Sequence, residues 1–144
     1  MTSGSRLQAW KDKYAAMYPG LDLSNQANPM HDGLTNLVKY ALNLDPGQAE
    51  ASSGVVIGTV LVGANHYLTL TFTHRTDDPT LTFSVLGANT SNATTWTAQT
   101  QSIPVDQSQV PSGMETEEFQ DSVAIEDQNG PPRRFLKLQV TIGD

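Results

Sequence analysis

The sequence predicts a mainly β protein: an antiparallel β-sandwich of about seven strands preceded by an N-terminal helical hairpin. Three observations lead there. The hydrophobic period is 3.6 residues before about position 46 and close to 2 after it. Thr, Val and Ile replace Leu and Ala as the common residues at the same point. Gly, Pro, Asn and Asp clusters then cut the rest of the chain into short runs. A chain of 144 residues without cysteine is long enough to bury one core, and disulfides cannot brace it.

The elements follow in order. Met1-Thr2-Ser3-Gly4-Ser5 carries neither the charged nor the apolar region of a signal peptide and is expected to be a linker scar outside the fold. From Arg6, the apolar positions Leu7, Trp10, Tyr14 and Met17 recur at three and four residues, predicting one amphipathic helix that Pro19-Gly20 ends. Asp22 to Asp32 has loop composition. Leu34, Leu37, Ala41 and Leu44 form the stripe of a second helix, with Asn36, Lys39 and Asn43 off it and Asp45-Pro46-Gly47 as its stop.

Residues 6–46 thus read as helix-loop-helix and 47–144 as the β portion, after a small-residue linker from Gly47 to Gly54. Neither helix is long enough to be stable alone, so the two parts are expected to pack as one unit. Val55 to Val62 is apolar on both faces. Tyr67 to His74 alternates, with Leu68, Leu70 and Phe72 on one face and threonines on the other. Leu81-Phe83-Val85, the Trp96 segment Thr94 to Gln101, Val123 with Ile125, and Phe135 to Ile142 are the remaining expected strands. In the last, Lys137 falls opposite Leu136, Leu138, Val140 and Ile142.

Charge excludes more than it assigns. With 8 basic against 15 acidic side chains and a net charge of −7, the chain lacks the clustered Lys and Arg that neutralise nucleic-acid phosphates. Its longest apolar run, Gly54 to Ala64, is far short of a bilayer span.

One loop has metal-ligand spacing. Counting from Asn28, an EF-hand-like frame puts Met30 third, Asp32 fifth, Gly33 at the sharp turn, the Leu34 carbonyl seventh and Lys39 twelfth. A thioether and an ammonium therefore stand where Ca²⁺ needs oxygen, so the loop reads as a degenerate calcium site. A Lys39 ammonium reaching Asn28 and Asp32 would substitute for the ion within the chain.

Arg6-Leu7-Gln8-Ala9-Trp10, His31-Asp32-Gly33-Leu34-Thr35-Asn36-Leu37-Val38-Lys39-Tyr40-Ala41-Leu42-Asn43-Leu44-Asp45-Pro46, Tyr67 to Arg75, Leu81 to Leu86, Thr95-Trp96 and Pro132 to Thr141 resemble, in the same order, a C-terminal accessory module of large secreted proteins of Verrucomicrobia and Planctomycetes. In those modules the helix follows an acidic, Gly-containing loop similar to a thrombospondin type 3 or dockerin calcium repeat. This sequence departs from the pattern at Met30 (an acidic ligand there), Lys39 (Glu) and Asn43 (Gly). The resemblance implies a non-catalytic module of a larger parent protein, an extracellular or cell-surface location, and a calcium role carried only by Asn28, Asp32, the Leu34 carbonyl and Asn36.

Catalytic constellations are missing from the sequence. It has no cysteine nucleophile, Gly-x-Ser-x-Gly elbow, His-Glu-x-x-His or glycine-rich phosphate loop. His31 lies in the polar loop. His66 and His74 sit on one side of one strand, about 26 Å apart, too far to share a ligand, and read as strand-end residues. Glu115, Glu117, Glu118 and Asp121 could hold a cation or a pair of glycosidase carboxylates, but after Pro111-Ser112-Gly113 they read as a solvated turn or edge. Arg133 and Arg134 read as a solvated or salt-bridged lead-in to the last strand. Trp96, with Asn89, Asn92 and Thr94 nearby, is the residue set for a polysaccharide ligand, against a core or seam role for the ring.

Overall fold

The computed structural model describes residues 4–49, 55–90, 93–125 and 134–143. Most of the 47–54 linker, Asn92 and Arg133 lie outside these. Among the described residues, two helices precede seven strands: α1 (Gly4–Met17), α2 (Asn36–Ala41), β1 (Val55–Val62), β2 (Asn65–Arg75), β3 (Leu81–Ala88), β4 (Thr97–Gln99), β5 (Gln101–Ile103), β6 (Met114–Gln120) and β7 (Phe135–Ile142). The strands form two antiparallel sheets, one of four in the order β1-β2-β6-β5 and one of three in the order β4-β3-β7. β4 and β5 belong to different sheets although only Thr100 separates them, so one extended segment laces the two together.

The predicted alternation of β2 positions its core residues. Leu70 and Phe72 are buried and meet Val85 of β3, with Phe83, Phe119, Leu136 and Leu138 packed around them, so both sheets share one cluster. A second cluster joins Leu7 and Trp10 of α1, Leu37, Tyr40 and Ala41 of α2, and Val140 of β7. The Trp10 ring meets Tyr14 and Tyr40 edge-on at 5.2 and 5.6 Å. Such contacts add roughly 0.5–1.5 kcal/mol each to the area buried.

Four local expectations are corrected. α1 begins at Gly4, inside the stretch expected to lie outside the fold, and Met17 at its end is exposed. α2 has six residues, not the twelve or so between Leu34 and Asp45. Thr35 caps it, its hydroxyl accepting from the Val38 amide, and Asn43 in the left-handed region (φ 58°) ends the turn. Gly and Asn are the two residues best tolerated at such a terminus. Val123 and Ile125 are not in a strand.

The acidic segment expected as a solvated turn or edge is instead the inner strand β6, paired with β2 along its whole length and with β5 over its last three residues. Where β5 does not reach, the Gln107 side chain takes over. Its Nε2 donates to the Thr116 carbonyl at 2.7 Å and its Oε1 accepts from the Thr116 amide at 3.0 Å, as a neighbouring peptide unit would.

Candidate functional site

The loop before α2 is organised by short polar contacts. The Asp22 carboxylate accepts from the Ser24 amide and hydroxyl, the Asn28 Oδ1 from the Asp32 amide at 3.2 Å, and the Asp32 Oδ1 from the Leu34 amide at 3.1 Å. Gly33 supplies the left-handed turn the spacing predicted (φ 82°). Asn36 is fully buried and directs its Nδ2 to the Asp22 and Ser24 carbonyls at 2.8 and 2.9 Å, while its Oδ1 has no partner.

Into this loop comes Lys39. Its Nζ lies 2.7 Å from the Asp32 Oδ2 and donates to the Gln48 carbonyl at 2.9 Å, with side-chain exposures of 0% for Lys39 and 4% for Asp32. The residues expected off the helical stripe, Asn36 and Lys39, are thus among the most deeply buried in the protein. The donor set does not fit Ca²⁺: the carboxylate that would ligate it already holds an ammonium, Asn28 is engaged by a backbone amide, and Asn36 presents nitrogen to the loop carbonyls.

α2 is also pinned to the end of β2. Arg75 donates through Nε to the Tyr40 carbonyl at 2.8 Å and lies over the Tyr40 ring at 4.0 Å, and the Tyr40 hydroxyl donates to the Asp78 Oδ2 at 2.5 Å. Burial, and then the bond to Asp78, push the Tyr40 phenol well above its ordinary value, against the opposing Arg75 charge. Burial alone would raise Asp78. The Thr80 hydroxyl, the Tyr40 phenol and the Thr80 amide, with Arg75, hold it below the usual carboxylate range instead.

Of the expected carbohydrate residues, Asn92 lies outside the described residues and the other three are placed as follows. Trp96 is half-buried just before β4, its Nε1 donating to the Ala93 carbonyl at 2.9 Å, and the Lys137 ammonium covers the ring at 4.2 Å. Thr94 is exposed. The Asn89 Oδ1 accepts from Arg134 at 2.8 Å, and Arg134 forms a two-pronged bond with fully buried Asp121, both contacts 2.7 Å. That bond raises the Arg134 pKa further. Asp121 therefore leaves the acidic cluster to anchor the start of β7, and Arg134 is committed inside the protein.

Of the histidines, His31 and His66 are exposed. His74 is not a plain strand end. It is 7% exposed, its ring 4.2 Å from Phe83 and 5.5 Å from Phe72, and it faces Glu115 and Glu117 of β6. The sequence signal was present as Glu-x-Glu spacing. What it lacked was the register that sets β6 beside β2. The chain matches no known family, no curated protein and no solved structure.

Proposed function

We propose that this chain is a non-catalytic structural or adhesion module of a larger secreted or cell-surface bacterial protein, built as a helical hairpin capping a β-sandwich. The observation that carries this reading is the Lys39–Asp32 pair: the loop of a calcium-type repeat is closed by the chain's own cation, which also ties the segment after α2 through the Gln48 carbonyl. A module stabilised in this way keeps its helices on its sheets whatever the calcium supply. The test is a thermal melt of metal-stripped protein with and without millimolar CaCl₂, in which the midpoint is expected to stay fixed. A rise with calcium, or turnover of a glycan or ester that disappears in Glu117→Gln or Glu118→Gln, overturns it.

The alternative, polysaccharide binding, is favoured by the half-buried Trp96 ring, two residues along the chain from exposed Thr94. Trp96→Ala then abolishes binding on a glycan array, and a wild-type protein that binds no glycan removes this alternative.

A further inference from the structure

β2 and β6 bring three ligand-type side chains together. His74 stands directly opposite Glu115 in the register, and Glu117 lies two residues along, opposite Phe72. Successive side chains of a strand alternate, so Glu115 and Glu117 share a face with Phe119, whose ring packs into the core cluster. Two carboxylates therefore point to the inner rim of the sheet, beside a buried imidazole. His74 Nε2 is 2.7 Å from the Glu117 Oε2 and 3.4 Å from the Glu115 Oε1, and the three ligand atoms lie within 4.8 Å of one another.

The imidazole is oriented from behind. Its Nδ1 is 2.8 Å from the Arg75 carbonyl oxygen, which can only accept, so this nitrogen carries the proton. Phe72 and Phe83 fix the ring plane. Nε2 is then the nitrogen presented to the two carboxylates. With no ion present, Nε2 lies within hydrogen-bond distance of the Glu117 Oε2, an oxygen that accepts, so a hydrogen sits between them. A divalent cation can take the place of that hydrogen, because one nitrogen and two carboxylate oxygens already converge within 4.8 Å of one another.

We propose that His74 Nε2, Glu115 and Glu117 form a binding site for a divalent transition-metal ion of the Zn²⁺ type. A backbone carbonyl accepting from the far nitrogen is the usual second partner of a ligating histidine. Tetrahedral Zn²⁺ with bonds of about 2.0–2.1 Å places its donors about 3.3 Å apart; the His74–Glu115 spacing already matches at 3.4 Å, and the 2.7 Å His74–Glu117 spacing opens by a small rotation of the part-exposed Glu117 side chain when the ion enters. The nitrogen donor favours such an ion over Ca²⁺ or Mg²⁺. Glu115 is half exposed, so the fourth coordination position faces solvent. The site lies apart from the loop closed by Lys39 and stands whether or not the module reading does.

The test is calorimetric titration of metal-stripped protein with ZnCl₂, with CaCl₂ and MgCl₂ as controls, together with thermal melts and histidine ¹⁵N chemical shifts. Expected are one equivalent of Zn²⁺, a raised midpoint, a shift at His74 Nε2 with Nδ1 still protonated, and no response to CaCl₂ or MgCl₂. Glu115→Gln, at a half-exposed position that leaves the fold intact, is expected to weaken Zn²⁺ at least tenfold, and Glu115→Gln/Glu117→Gln to abolish it. Absence of stoichiometric Zn²⁺ binding overturns the proposal, as does equal affinity in wild type and the double variant.

Discussion

Replacing Lys39 with Met removes the ammonium and keeps most of the aliphatic volume, leaving the Asp32 carboxylate, 4% exposed, with no counter-charge from α2. Breaking a buried pair by removing one partner costs about 3–5 kcal/mol, because the remaining charge stays desolvated. At about 2–4 °C per kcal/mol for a chain of this size, the melting midpoint should drop by about 6–20 °C. Asp32→Asn should cost a comparable amount by stranding the ammonium, although its Oδ1 still accepts from the Leu34 amide. The double variant Lys39→Met/Asp32→Asn should be much less damaged than the sum of the two. Urea denaturation of all four proteins gives the coupling energy directly. If Lys39→Met costs less than about 1 kcal/mol, the pair behaves like a solvent-screened surface bridge and the reasoning fails; strict additivity refutes it equally.

Three further outcomes are expected. Lys39→Glu combined with Met30→Asp restores carboxylates at the third and twelfth loop positions, and calorimetry should then detect Ca²⁺ binding that the wild type lacks. The Tyr40–Asp78 pair makes stability pH-dependent at both ends. Asp78 titrates below its unfolded value, so its contribution is full above about pH 4 and is lost as pH falls through the folded value; Tyr40 titrates above its own, so its contribution is complete below about pH 10 and is lost as pH rises. Tyr40→Phe should flatten the alkaline limb of a stability–pH profile, and an unchanged limb contradicts the assignment. At Gly87, an added Cβ would come within 2.8 Å of an Arg134 guanidinium nitrogen, 2.9 Å of the Gln99 amide nitrogen and 3.2 Å of Asp121 Oδ1. Gly87→Ala should therefore cost about 1–3 kcal/mol, measured by denaturation, by displacing the Arg134–Asp121 bond.

The strands with clean alternation were legible because a period of two needs no tertiary knowledge: β2, β3 and β7 each place the predicted residues inward, and Lys137 falls outside as the parity of β7 requires. The turn at Gly33 was legible for a similar reason, since its spacing demanded a left-handed residue. β6 was not. Its glutamates alternate with threonine and a further glutamate, so hydrophobicity carries no period, and only pairing with β2 makes the segment a strand. Lys39 and Asn36 were misplaced by the same rule applied to α2. A helix stripe ranks positions by polarity, whereas these two are buried because the preceding loop supplies Asp32 and the Asp22 and Ser24 carbonyls as partners. Partners distant in sequence also hid Arg134–Asp121 and His74–Glu117, each a polar contact that neither segment announces by itself.

β7 has a consequence for the order of assembly. It contributes Val140 to the helical cluster and Leu136 and Leu138 to the cluster between the sheets, and it follows every other described element in sequence. During synthesis α1, α2 and β1 through β6 therefore emerge before either cluster can close, and at about 5–20 residues per second the earlier elements wait several seconds with apolar faces exposed. β1, which carries exposed Val56, Ile57, Leu61 and Val62 at the end of its sheet, stays open to other chains both during that interval and after it. Docking of this strand along β3 then completes both clusters, adding Val140 to one and Leu136 and Leu138 to the other.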